Sequence, residues 1–169
     1  MDEKEILIPG FDAGVPLYTR MGNRVPTSKA NYLSGFSAEE MDKIINQKSF
    51  PNIERRSLDP SYNCMGMVFA FRRAWVEPKH VSRLLIEDEY YEVGRMNTMP
   101  GDLVGYYDEK DRQNLKHIGI IVAKSRDIKK VDWNIQVLSQ WGLCGEYLHD
   151  ERDVPYQFGN LRIYYSERK

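Results

Sequence analysis

A chain of 169 residues with 41% hydrophobic and 29% charged side chains has the makeup of one ordinary globular domain, large enough for a core without staples. Its 24 lysines and arginines against 25 acids leave a formal charge of −1, which argues against nucleic acid or an anionic membrane as the main partner. The basic pairs Arg55-Arg56, Arg72-Arg73 and Lys129-Lys130 are scattered and read as solvated surface.

The chain opens on MDEKEILIPGF, an acidic stretch without the character of a signal peptide. Its longest apolar runs are about six or seven residues, against the roughly twenty that a membrane-spanning helix needs. A reducing cytoplasm is therefore the default expectation, with non-classical export or delivery as an effector as the alternative. Residues 1 to about 36 are rich in Pro, Gly and Asn, with short apolar pieces at Ile6-Leu7-Ile8 and Val15-Pro16-Leu17-Tyr18. They read as an extended arm wrapped on the surface, suited to covering a cleft or contacting a protein partner.

Ser37-Ala38-Glu39-Glu40 is a capping box, with Ser37 as N-cap, and Met41, Ile44 and Ile45 give the following short helix one apolar face, ending near Gln47. Asp59-Pro60-Ser61 breaks the chain, so we divide it into an N-terminal extension, residues 1–58, and a main domain, residues 59–169, within a single globule. A second helix is expected from about Asn63 to Val76, with Cys64, Val68, Phe71 and Trp75 on the face toward the core. Pro78 stops it, and a shorter helix follows at about Val81 to Glu87. From the turn Met99-Pro100-Gly101-Asp102 onward the pattern is strands: Leu103 to Tyr107, then His117 to Ala123 after a polar loop from Asp108 to Asn114, then Asn134 to Trp141 and Leu161 to Tyr165. Helices first and an antiparallel sheet afterwards define the α+β class.

Two residues carry chemistry in this pattern. Cys64 begins a predicted helix, where unpaired backbone N–H groups and the positive end of the dipole favour thiolate over thiol. His117 opens the most apolar strand, where a rigid element could hold a base beside that sulfur. Cys64 and Cys144 do not make a disulfide framework, and Cys144 falls in the turn Leu143-Cys144-Gly145. His80, after Pro78-Lys79, reads as surface. No His or Cys spacing suits a metal, the mixed-charge loop around Asp108, Glu109 and Asp111 reads as solvated, and no glycine motif cradles a phosphate, so no cofactor is expected.

Three segments together resemble the NlpC-type papain-like cysteine peptidases and amidases. Asn63-Cys64-Met65-Gly66-Met67-Val68 is similar to the DCSGLV segment around that family's nucleophile, Met99 to Tyr107 to its PGDLVFF strand, and His117 to Val122 to its HVGIYV strand. The order agrees, over roughly residues 62 to 165. The resemblance implies a papain-like domain whose nucleophile helix packs on an antiparallel sheet carrying the base, with Cys64 and His117 as catalytic pair.

The family's third polar residue lies on the next strand, and aligning Val137-Leu138 puts Ser139 in its place, with Gln140 the alternative one step away on the other side of the strand. Asn63 and Met65 depart from the acid and the small hydroxyl that flank the family's nucleophile, and Tyr62 is the nearest phenol to the family's upstream tyrosine. The tail from Ser139 to Gly159 resembles a bacterial NlpC-like subgroup, in which His149 either lines the cleft, supplies the polar partner, or is a loop histidine bonded to backbone. The implied activity is cleavage of an amide in a peptide-like substrate, with bacterial cell-wall peptides the commonest class. The alternatives are deamidation or acyl transfer by the same pair, or a papain-fold binding module with reduced catalysis.

Overall fold

The computed structural model describes residues 15–29, 37–48, 50, 52–129 and 132–169. The Ile6-Leu7-Ile8 piece of the arm lies outside them. Within the arm, β1 (Leu17–Tyr18) and β2 (Arg24–Val25) pair as a small antiparallel hairpin that buries Leu17 and Val25. Beyond it, Ser28 and Trp75 exchange two backbone hydrogen bonds of 2.9 and 2.8 Å, which fastens the arm beside the start of the main domain.

Helix α1 (Ala38–Lys48) begins with the expected capping box. The Ser37 N–H donates to Glu40 Oε2 at 2.7 Å, and Ser37 Oγ accepts from the Glu40 N–H at 3.2 Å. These bonds hold the exposed Glu40 carboxyl below its usual pKa. Met41 from α1 is fully buried with Trp141, Cys144 and Tyr147, and Ile45 packs against the same cluster, so the helix is seated by its apolar face as much as by its cap.

The body is a seven-stranded antiparallel sheet with few helices. Its strands are β3 (Glu54–Arg55), β4 (Tyr91–Val93), β5 (Leu103–Asp108), β6 (Asp111–Asp127), β7 (Asp132–Gln140), β8 (Glu146–Asp150) and β9 (Leu161–Ser166), in the order β3-β8-β7-β6-β5-β9-β4. Helices α2 (Cys64–Phe69) and α3 (Val81–Glu87) pack on one face with Leu103, Ile118, Ile163 and Tyr165, while Val104, Tyr106, Ile121, Ile135 and Val137 form a second core on the other. Among the described residues no helix is long and apolar enough to cross a membrane.

Several local expectations are corrected. The polar loop expected from Asp108 to Asn114 is only a tight turn, because β6 begins at Asp111, and β3, β4 and β8 were not legible as strands. The second helix stops at Phe69 instead of Val76: the N–H groups of Ala70 and Arg72 both return to the Gly66 carbonyl, and Phe71 and Arg72 take positive φ of 51° and 62°. That uncommon backbone is held by tertiary bonds, since the Arg72 guanidinium pairs with the buried Glu146 carboxylate. Phe71 is consequently 76% exposed and Trp75 belongs to the bridge with Ser28, so neither shares the core face with Cys64.

The returning chain passes so close over α2 that a Cβ on Gly66 would lie 1.7 Å from the Ala74 carbonyl oxygen. Gly66→Ala is expected to destabilise the protein by about 1–3 kcal/mol or more in urea unfolding, because backbone must move to admit the methyl group. Gly94→Ala, where the nearest atom is 3.8 Å from the new carbon and φ is −68°, should stay within about 0.5 kcal/mol of the parent.

Candidate active site

The first turn of α2 is built by Asn63. Its Oδ1 accepts from the Gly66 N–H at 2.8 Å and from the Val76 N–H at 3.1 Å, and its Nδ2 donates to the Val76 carbonyl at 2.8 Å. One amide therefore caps the helix and pins the returning strand beside it. Cys64 is the first helical residue and only 7% exposed. Its sulfur lies 3.1 Å from Met65 Sδ and faces the backbone N–H groups of Ile118, Met65 and Cys64 itself.

The thiol pKa runs opposite to the sequence-based expectation. Burial pushes it up to about 11, and the backbone donors at the helix start only partly oppose that rise. The reason is scale: a six-residue helix offers a small dipole, whereas removing a thiolate from water is expensive. Cys64 rests as a thiol.

His117 lies where β6 runs on past its neighbour. The pairing of β6 with β7 ends at Ile120↔Leu138, and β7 itself stops at Gln140. Ile118 joins the core beneath α2, while the His117 ring stacks on Phe158 at 4.5 Å between centroids and tilts against Tyr106. Burial, and after it the nearby His149, lower the His117 pKa to about 3, so the imidazole is neutral at ordinary pH.

The protons in this site can be placed from the chemistry of the partners. His149 Nδ1 lies 2.7 Å from the Asp150 carbonyl oxygen, which can only accept, so Nδ1 carries the hydrogen. Burial lowers the His149 pKa to about 4, which leaves its Nε2 as a bare acceptor. The Ser139 hydroxyl, 2.8 Å away, then donates to that nitrogen. Ser139 Oγ in turn accepts from Trp141 Nε1 at 3.0 Å and from His117 Nε2 at 2.9 Å. His117 is thereby the Nε2–H tautomer, with the lone pair on Nδ1.

Ser139 thus makes direct contact with the His117 ring. The reading of His149 as a loop histidine is corrected: it sits on β8, fully buried, because Val137↔His149 pairing carries it beneath Ser139. The close approach depends on Gly119, where a Cβ would come within 2.5 Å of Val137 Cγ1 and 3.0 Å of Ser139 Cβ. Phe158 had no signal in the sequence beyond its type, and the packing roles of Trp141 and Gly119 come from cross-strand and long-range contacts that the motifs holding them do not specify.

Cys64 and His117 line one cleft of about 490 Å³, with Trp75, Val76, Pro78 and Phe158 as apolar walls and Lys116 and Gln140 among its polar groups. Gln140 makes no side-chain hydrogen bond to His117; its Nε2 donates to the carbonyls of Asp59 and Gly142, both at 2.8 Å. Tyr62 is not in the cleft. Its hydroxyl donates to Glu146 Oε1 at 2.8 Å beside Arg72, so it serves the ion pair that bends the chain after α2. Both cysteines are free thiols, and among the described residues no group of three His, Cys, Asp or Glu side chains is placed to hold a metal. Comparison with family models, with curated proteins and with solved structures found no match for the chain.

Nitrogen NMR at neutral pH should show His117 protonated on Nε2 alone, and His149→Phe should mix its two tautomers because Ser139 is then free to donate to His117. Retention of a single tautomer in that variant would overturn the proton order derived above. The two rings also make a pH signature. Unfolded histidines take up a proton near pH 6.5, whereas these fold with values of about 3 and about 4. Stability is then full above about pH 6.5 and declines as pH falls, with a slope between pH 6 and 5 approaching about two protons taken up on unfolding. His149→Phe should remove about one of them in urea titrations.

Proposed function

We propose that this chain is a papain-like cysteine hydrolase of NlpC type that cleaves an amide bond in a peptide-like substrate. The observation that carries the reading is that one cleft is lined both by the Cys64 thiol and by an imidazole whose Nε2 hydrogen is engaged and whose Nδ1 lone pair is left over. Cys64 is the nucleophile and His117 the general base and acid. Ser139 and His149 are positioning residues.

Both pKa shifts favour a neutral resting pair, so the proton leaves sulfur as sulfur attacks and not before. His117 Nδ1 takes that proton while its Nε2–H stays on Ser139 Oγ, and the carbonyl carbon gains the C–S bond. The same proton then passes to the departing amine as the C–N bond breaks. A water, losing its proton to His117, finally releases the acid and restores the thiol. Backbone N–H groups of Cys64, Met65 and Ile118, already gathered around the sulfur, favour negative charge forming there. Deamidation or acyl transfer would use the same steps with a different leaving or accepting group. Bacterial cell-wall peptides are the substrate class that the sequence resemblance favours.

A second reading, a binding module that keeps the fold, is favoured by the burial of the thiol and its contact with Met65 Sδ. Cys144 supplies an internal control, for burial also raises its pKa to about 11, yet it lies in the α1 core and not in the cleft. If His117 acts as base, iodoacetamide at neutral pH should label Cys64 at least about tenfold faster than Cys144, and His117→Ala should erase that advantage while Ser139→Ala weakens it. Equal labelling of the two cysteines, in alkali only, would establish the binding module instead.

A further inference from the structure

Lys116 stands beside His117 at a fault in the sheet. The adjacent residues Tyr106 and Tyr107 of β5 face His117 and Leu115 of β6, so Lys116 is an extra residue without a partner on β5. On its other flank β6 has already run past β7, whose pairing ends at Ile120. A bulge of this kind bends its strand and re-aims the side chain. Leu115 and Ile118 show the effect: three residues apart, they would lie on opposite faces of a regular strand, yet both enter the core beneath α2. Lys116 is left exposed, and it lines the cleft together with His117.

Among the described residues, that position gives the cleft its one uncommitted charge. Cys64 and His117 rest neutral. Glu77, the other ionic side chain of the wall, is paired with Lys79 at 2.6 Å. The Lys116 ammonium has neither a hydrogen bond nor an ion pair among the described residues, whereas Lys124 is held by the carbonyls of Met96 and Thr98. Lys116 also lines a second hollow of about 250 Å³. The turn Tyr156–Phe158 borders both, with Phe158 on the cleft and Tyr156 on the hollow. The acids of that hollow are engaged elsewhere: Asp108 accepts from the Lys110 N–H and Glu109 from Asn160 Nδ2, both at 3.0 Å.

We infer that Lys116 is a specificity-determining residue of this cleft, its ammonium pairing with a substrate carboxylate on the amine side of the bond to be cleaved. The inference rests on the thiol chemistry proposed for Cys64 and narrows its substrate class. In that chemistry His117 protonates the departing amine, which places the amine beside His117 and hence near Lys116. A carboxylate is the anion that a peptide-like molecule carries, at its C-terminus or on a side chain. A lysine without a partner gains an ion pair on meeting it and gives up none. Charge complementarity of this kind selects among substrates more than it adds affinity.

The test labels Cys64 of the full chain at neutral pH with chloroacetyl probes, in which the sulfur bonds to the methylene carbon and chloride departs. N-chloroacetylglycine sets its carboxylate where a free C-terminus would be, and N-chloroacetyl-4-aminobutyrate sets it where a glutamate side chain would be. Each is compared with its own primary amide, after division by the rate with 2-mercaptoethanol, a neutral thiol, which removes intrinsic reactivity. At least one acid should react about threefold to fivefold faster than its amide, and added salt should shrink the excess. Which acid gains identifies the source of the carboxylate. Lys116→Glu should reverse the preference, and because the residue is exposed and unbonded the substitution leaves the core intact. Equal rates for acids and amides in the parent protein, or a preference unchanged in Lys116→Glu, would overturn the inference and leave the hydrolase reading standing. Failure of every probe to label Cys64 would remove the hydrolase reading and this inference with it.

Discussion

A serine hydroxyl has one hydrogen to donate and two lone pairs to fill, and at Ser139 all three are used. His149 takes the hydrogen, while Trp141 and His117 fill the lone pairs. This saturation determines the protonation of His117, because a hydroxyl already donating elsewhere can only accept from the ring. Whatever the cleft does chemically depends on that, since a base needs a bare nitrogen in a known place. The proton order is anchored at its far end by a main-chain carbonyl, Asp150, which cannot change its role. A weak orienter, a hydroxyl, becomes a definite one when a second histidine stands behind it.

Burial supplies the other half of the chemistry. With Cys64 and His117 both taken out of water, charge separation between them is disfavoured, and the resting state is neutral on both sides. Desolvation outweighs the backbone donors at the start of α2, so the sulfur is held poised instead of ionised. In the hydrolase proposed above, such an arrangement would link the proton transfer to the bond-making event and make the position of the imidazole more important than its basicity.

The sheet explains why these groups converge. β6 outruns β7, and the step between them is filled by the start of α2, by Phe158 and by Gln140 at the end of β7. Residues of one strand thereby serve two purposes: Ile118 holds α2 in the core, and His117, next to it, faces the relay on β7 and β8. Gly119 lets the strands approach closely enough for Ser139 to reach the ring. On the N-terminal side of the site, Arg72 and Glu146 turn the chain sharply after α2, which returns Ala74 to Val76 along the helix start.

The capping box at Ser37, the short helix at Val81, the strand after Pro100-Gly101 and the positions of Cys64 and His117 were readable from residue order, because caps, turns and apolar periodicity are local. The length of α2 was not, since a helical pattern through Trp75 gave way to an ion pair between residues far apart in the chain. The thiol's protonation was misjudged for a related reason: position at a helix start is a local property, but burial belongs to the whole fold. Likewise the chain itself specifies a serine at 139, a glutamine at 140 and a histidine at 149. Only strand register decided that the first touches His117, the second forms the cleft wall, and the third completes the relay from a strand that no local pattern had announced.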